Sequence, residues 1–249
     1  MAKERIAKFL ARSGVASRRE AERLIAAGHV TVNGLVVTNP ATRIDENDVL
    51  AVGGRPIARR EKTRLWRYHK PPGLVTTARD PQERPTVFAA LPKSLPRVIS
   101  VGRLDLNTEG LLLLTNDGGV ARYLEHPAQS IARRYRVRTH GDPAESKMME
   151  LERGATVDGV RYRPLLISID SRKGSNWWIT VTVSEGKNRE IRKLMQYAGL
   201  HVTRLIRTGY GPFELGELAR GAVEEVPQRL LRRALSGYFD RRDAREQGL

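Results

Sequence analysis

RLDLNTEGLLLLTNDGG, residues 103–119, joins a turn rich in acids and amides to an unbroken apolar run. Asp105, Asn107 and Glu109 alternate and Gly110 follows them, which is how the oxygen ligands and sharp turn of a calcium loop begin. Counted from Asp105, such a loop would put Leu111 and Leu113 at ligating positions and Asn116 where a bidentate Glu is required. LLLLT is too short for a helix of its own and is bounded by turn signals, so it reads as a buried strand where the metal motif needs loop and then helix. The acids therefore belong to a turn. Local bonding to backbone accounts for Asn107, Thr108 and Glu109. Asp105 lies between a strand ending VISVG and the strand beginning LLLLT, where an acid can be held rigidly at the rim of a sheet. Spacing alone leaves it open between turn former and chemical group.

Length and charge narrow the setting of that turn. A chain of 249 residues holds one large domain or two unequal ones, and 40% hydrophobic content is enough for a core. The net charge is +16, with 44 Lys and Arg spread along the chain, which favours a polyanionic partner. No stretch approaches the roughly eighteen apolar residues of a membrane span, and MAKERIAKFL is too charged for a signal-peptide core. A cytoplasmic protein that does not engage membranes is expected. Cysteine is absent, which excludes disulfides and thiolate metal sites, and the five His are scattered without ligand spacing.

The N-terminal unit, residues 1–61, has its own pattern. Ile6, Phe9 and Leu10 recur at helical spacing up to Gly14. Ser17 with Glu20 fits a capping box, and Gly28 closes the second helix. HVTVNGLVV then reads as a hairpin turning through Asn33 and Gly34. Arg5, Lys8, Arg12, Arg18, Arg19 and Arg23 fall on the two helices and the turn between them, forming one basic surface suited to a phosphate backbone. FLARSGVASRREAERLIAAGHVTVNG resembles the S4 (αL-like) RNA-binding domain.

ARREKTR, residues 58–64, reads as a charged linker. Beyond it, residues 62–235 alternate strands with turns: RLWRYHKPPGLVTT, a Pro-rich loop at RDPQERPTVFAALPKSLP, then RRYRVRTHG, LLISID and NWWITVTVSEG. This pattern indicates a mainly β domain of the α+β class. Alternation sends Trp177 and Trp178 to opposite faces, one to the core and one open to RNA. The last segment, SGYFDRRDAREQGL, residues 236–249, is polar and expected to be a disordered tail.

HKPPGLVTT, RPTVFAALP, GRLDLNTEGLLLLTNDG, RRYRV, SEGKNREIRKLM and RLIRTGYGPFELGEL occur in this order and together resemble the bacterial ribosomal-RNA pseudouridine synthases of the RsuA/RluB type. The large-subunit, RluB-like branch is the nearer one. The resemblance implies a catalytic domain on a mixed, mainly antiparallel sheet with flanking helices. It also implies isomerisation of uridine to pseudouridine, with Asp105 as the catalytic carboxylate and no cofactor or metal. Asp105 would either attack the anomeric carbon or remove a proton from the neighbouring sugar carbon. Both routes want it ionised under a bound nucleotide, where burial raises a carboxyl pKa, so a cation is needed nearby.

By the same resemblance Arg192 pairs with that carboxylate and Tyr135 stacks on the flipped base. Leu194 either walls the pocket or belongs to the core, and Arg103 either holds a phosphate of the flipped nucleotide or is an ordinary surface Arg of a basic protein. Lys187, Asn188 and Arg189 are expected to face RNA. Asn188 also suits the N-cap of a helix whose core face is Ile191, Leu194, Met195 and Ala198. The expected partner is 23S ribosomal RNA, free or in an assembling subunit, bound by a monomer. The competing readings are a non-catalytic RNA-binding or ribosome-assembly protein, and a synthase acting on 16S rRNA or tRNA.

Overall fold

The computed structural model describes residues 4–45, 47–57 and 61–247. Its N-terminal part runs β1 (Glu4–Arg5), α1 (Ile6–Arg12), α2 (Arg18–Ala26), β2 (Val30–Val32), β3 (Leu35–Val36), β4 (Arg43–Ile44), β5 (Leu50–Val52) and β6 (Arg55–Pro56). Ile6, Leu10, Ala21 and Ile25 from the two helices bury against Val30, Ile44 and Leu50. Ser17 caps α2 by accepting from the Glu20 N–H at 3.1 Å. Asn33 and Gly34 take φ of 52° and 82°, the left-handed pair that a tight hairpin between β2 and β3 requires.

The larger part comprises β7 (Leu65–Lys70), α3 (Val87–Ala90), β8 (Ile99–Val101), β9 (Glu109–Thr115), α4 (Gly118–Glu125), β10 (Arg133–His140), α5 (Glu145–Arg153), β11 (Thr156–Val157), β12 (Val160–Arg161), β13 (Leu166–Lys173) and β14 (Asn176–Val183). It continues through α6 (Glu190–Tyr197), β15 (His201–Tyr210), β16 (Phe213–Glu214), β17 (Val223–Glu225), α7 (Gln228–Ala234) and α8 (Ser236–Gln247). Nine strands form one sheet in the order β13-β14-β10-β15-β9-β7-β17, with β16 on β15 and β8 on β9. Its pairings are antiparallel except β15 with β9.

β9 explains the run LLLLT. Leu112 and Leu114 pack with Trp66, Tyr68 and Leu104 on one face, while Leu111 and Leu113 pack with Val120, Leu124, Leu231 and Phe239 on the other. A strand covered on both faces has no polar side, so its sequence is continuous rather than alternating. Gly110, at φ +106°, opens the parallel contact: a Cβ there would lie 2.3 Å from the Arg207 carbonyl oxygen.

Two expectations are corrected here. The C-terminal segment is not a disordered tail over its described length: α8 folds back and buries Phe239 in the cluster under β9, with Tyr238 against it. Two adjacent aromatics on an otherwise polar helix leave no apolar periodicity in the sequence, yet they suffice to dock it. Arg12 is not part of an open RNA surface, since its side chain is 9% exposed and bonds the Asp117 carboxylate of the larger part at 2.7 Å. That carboxylate also accepts from the Thr63 hydroxyl at 2.7 Å, the Gly119 N–H at 2.8 Å and the Tyr238 hydroxyl at 3.3 Å. Thr63 is thus buried although it falls in the expected linker, of which residues 58–60 lie outside the described residues.

Candidate active site

Asp105 is exposed at the start of a turn closed by the Thr108 N–H donating to the Asp105 carbonyl at 3.0 Å. It lines a cleft of about 660 Å³ shared with Arg103, Thr108, Tyr135, Ile191, Leu205 and Arg207. The turn is pinned from several directions. Lys70, fully buried at the end of β7, points its ammonium at four backbone carbonyls: Thr108 at 2.9 Å, Pro71 at 3.0 Å, Asp105 at 3.2 Å and Leu106 at 3.4 Å. The Gly73 N–H donates to Leu106 O at 2.8 Å. The Thr76 hydroxyl donates to Leu104 O at 2.8 Å and accepts from the Leu104 N–H at 3.2 Å. HKPPGLVTT is therefore the clasp of the Asp105 turn. The family likeness of this segment does not by itself give its residues a role. The available signal is a Lys in step with Trp66 and Tyr68, on the buried side of the alternation of β7.

Burial pushes the Lys70 ammonium down to about 8, while the charges of Asp105 and Glu109 pull it up. Burial, and then Arg189, push Arg192 below its ordinary range, and Asp105 again opposes them. The carboxylate thus sits in the field of two cations. The expected Arg192–Asp105 bidentate pair is not formed, however. Arg192 donates instead to the Asn107 carbonyl at 3.0 Å and to the Val202 carbonyl at 3.3 Å, bracing the turn through its backbone. From the first turn of α6 the side chain reaches the carbonyls of the turn, leaving the acid open to the cleft.

The other site residues divide. Tyr135, half-buried on β10, packs between the two clusters that flank the cleft. Arg103 is exposed on the cleft wall, as are Lys187, Asn188 and Arg189. Leu194 does not wall the cleft: it is fully buried with Met195 and Ala198, and the apolar wall is made by Ile191 and Leu205. Asn188 does not cap α6, because Arg189 occupies the cap at φ 50° and no side chain bonds there. Glu190 follows, 5% exposed, accepting from the Lys187 N–H at 3.1 Å; burial and then the nearby Glu185 push its carboxyl up to about 7. Glu109, read as a turn former, is instead the buried first residue of β9 and is ion-paired with Arg204 and Arg220.

Arg207 was not anticipated. It is 2% exposed, donates from Nε to Leu111 O at 2.7 Å and lies 5.1 Å from the Tyr210 ring centre. Its place on β15, in register with Gly110 and with Tyr135, carries it to the cleft.

A carboxylate on a braced turn, an aromatic lining the same cleft and a basic helical domain tied on through Arg12 and Asp117 suit an enzyme that works on a polyanion. The profile described as RNA pseudouridylate synthase matches residues 64–197, and that of the S4 domain matches residues 4–50. The chain belongs to the RNA pseudouridylate synthase family: it is an RNA pseudouridine synthase with an N-terminal S4 domain. It is 45% identical over 235 residues to an uncharacterized RNA pseudouridine synthase of Rickettsia prowazekii, covering 94% of this chain and 99% of that one. It is 41% identical over 230 residues to the ribosomal large subunit pseudouridine synthase B of Salmonella typhi, covering 90% and 79%. A solved structure described as a pseudouridylate synthase shares the fold, with a TM-score of 0.66 at 24% identity over 93% of this chain and 99% of that one. No described helix is long and apolar enough to cross a membrane.

Proposed function

We propose that this enzyme converts a defined uridine of large-subunit (23S) ribosomal RNA to pseudouridine, with Asp105 as the catalytic carboxylate. The observation that carries the reading is the Asp105 turn: its backbone is bonded by Lys70, Gly73, Thr76 and Arg192, while its acid faces an open cleft. Catalysis by a positioned group gains most when its frame is rigid before substrate arrives. The large-subunit assignment is supported by the Salmonella typhi relative, whose name gives that substrate.

The isomerisation breaks the C1′–N1 bond, turns the uracil and forms C1′–C5, and the C5 proton is lost to solvent while N1 regains one. Nothing is oxidised or reduced. Asp105 supplies the carboxylate beside the sugar, as nucleophile at C1′ or as base at C2′. Tyr135 offers a face on which the extruded base stacks. Arg103 holds a phosphate of the extruded nucleotide. Lys187, Asn188 and Arg189, with Arg5, Lys8, Arg18, Arg19 and Arg23 of the S4 domain, hold the flanking RNA.

The test is Asp105→Asn and Asp105→Ala, assayed for pseudouridine formation and RNA binding, together with pseudouridine mapping of rRNA in cells with and without the gene. Loss of turnover by a factor of about 10³ or more with retained binding, and one missing 23S site, is the expected result. Turnover that survives Asp105→Ala would remove the assignment.

A further inference from the structure

The sheet has a second basic face, on the side opposite the cleft. Along β10 the side chains alternate. Tyr135 and Val137 face the cleft and the cluster beneath α5 and α6, whereas Arg134, Arg136 and Arg138 are exposed on the reverse. Strand register extends that reverse face: Arg138 stands opposite Trp178 on β14 and opposite Arg204 on β15. Arg136 lies 4.6 Å from the centre of the Trp178 ring and Arg204 lies 6.0 Å from it. An indole flanked in this way holds guanidinium groups in place on an exposed strand face.

The charges on this face are not balanced within the protein. Arg134 pairs with Glu214, Arg136 lies 3.4 Å from Asp170, and Arg204 pairs with Glu109, which also serves Arg220. Arg138 has no acidic partner among the described residues, although it sits directly across from Arg204. Like charges directly opposite on neighbouring strands repel and destabilise a sheet. This arrangement costs stability in the free protein and is offset when a polyanion lies across it.

We propose that this reverse face is a second RNA-binding surface, engaging phosphates of a segment of the substrate RNA distant from the target uridine. The proposal rests on the RNA-substrate reading above. Because cleft and reverse face lie on opposite sides of one sheet, a single short stem cannot contact both. The surface therefore acts only on RNA large enough to fold around the domain. Guanidinium groups braced on Trp178 suit phosphate oxygens, and the protein's net charge of +16 has the complementary sign.

The experiment uses the full chain carrying Arg134→Gln, Arg136→Gln and Arg138→Gln together, with thermal melting as a check of folding. Affinity and turnover are measured on a whole 23S rRNA transcript and on the isolated stem-loop around the mapped uridine. The expected result is affinity for the transcript about tenfold weaker or more near 0.1 M salt, a salt slope shallower by about 2 to 3, and unchanged turnover on the stem-loop. Affinity for the transcript within twofold of wild type overturns the proposal. So does an equal loss on both RNAs, which assigns these residues to the cleft or to folding. A loss seen only on ribonucleoprotein particles overturns it in favour of a protein partner. If wild-type protein makes no pseudouridine in rRNA, the functional reading fails, while the affinity comparison on the transcript still decides this one.

Discussion

Replacing Arg12 by Met separates two roles that sequence alone cannot tell apart. If Arg12 were an RNA contact, the substitution would weaken RNA binding and leave stability unchanged. In the structure its guanidinium lies 2.7 Å from Asp117, with the two side chains 9% and 2% exposed. Breaking a buried pair by removing one partner costs about 3–5 kcal/mol, because the other charge stays buried. Here Asp117 keeps bonds from Thr63, Gly119 and Tyr238, and Arg242 lies 3.7 Å away, so we expect about 2–3 kcal/mol. For a chain of this length that lowers Tm by about 5–10 °C. Urea and thermal unfolding at pH 7 measure the effect, and limited proteolysis between the two parts reports undocking of the S4 domain. Burial would raise the Asp117 carboxyl, but Arg12, Thr63, Gly119 and Arg242 outweigh it and hold the group below the ordinary aspartate range. A carboxyl with a depressed folded pKa adds stability above its unfolded pKa and loses it as pH falls through the folded one. The gap between wild type and Arg12→Met should therefore persist at neutral pH and close in acid. An unchanged Tm with weakened RNA binding would refute the reasoning.

Four further outcomes are expected. Lys70→Met should lower kcat at least about tenfold with little change in RNA affinity, since the turn loses four carbonyl contacts; single-turnover and binding assays separate the two. As pH rises through about 8, Lys70 loses its proton and kcat should fall on the same limb, which a pH–rate profile tests. Glu190→Gln should stabilise the protein by about 1–2 kcal/mol at pH 8 and not at pH 4. The raised Glu190 carboxyl contributes its stability below the unfolded pKa and loses it as pH rises through about 7, and denaturant melts at the two pH values show the difference. Leu194→Ala should cost about 2–5 kcal/mol of stability while the folded fraction keeps its turnover, whereas Leu205→Ala at the cleft wall should also reduce kcat.

Local signals in the sequence were sufficient at several places where the structure is local. The Asn33–Gly34 turn, the Ser17 cap and the buried face of α6 follow from backbone preference and helical period, which need no distant partner. The apolar run at 111–114 likewise announced a strand, because it is too short for a helix and is bounded by turn signals. The motifs in order announced the family, since six long segments rarely agree by chance. What the sequence by itself determined was thus the N-terminal helices and hairpin, the strand at 111–114, and the order of an S4 domain before a synthase domain. The tertiary structure decided which side chains meet. It turned Arg12 from a basic surface into a tie between the two parts, decided for Leu194 between core and cleft wall in favour of the core, and seated α8 on two aromatics. It also revealed Lys70 and Arg207, buried cations set by strand pairing. A buried cation and an exposed one are spelled the same in a sequence, and only the chain segments folded over it determine which carbonyls, carboxylates and rings it meets.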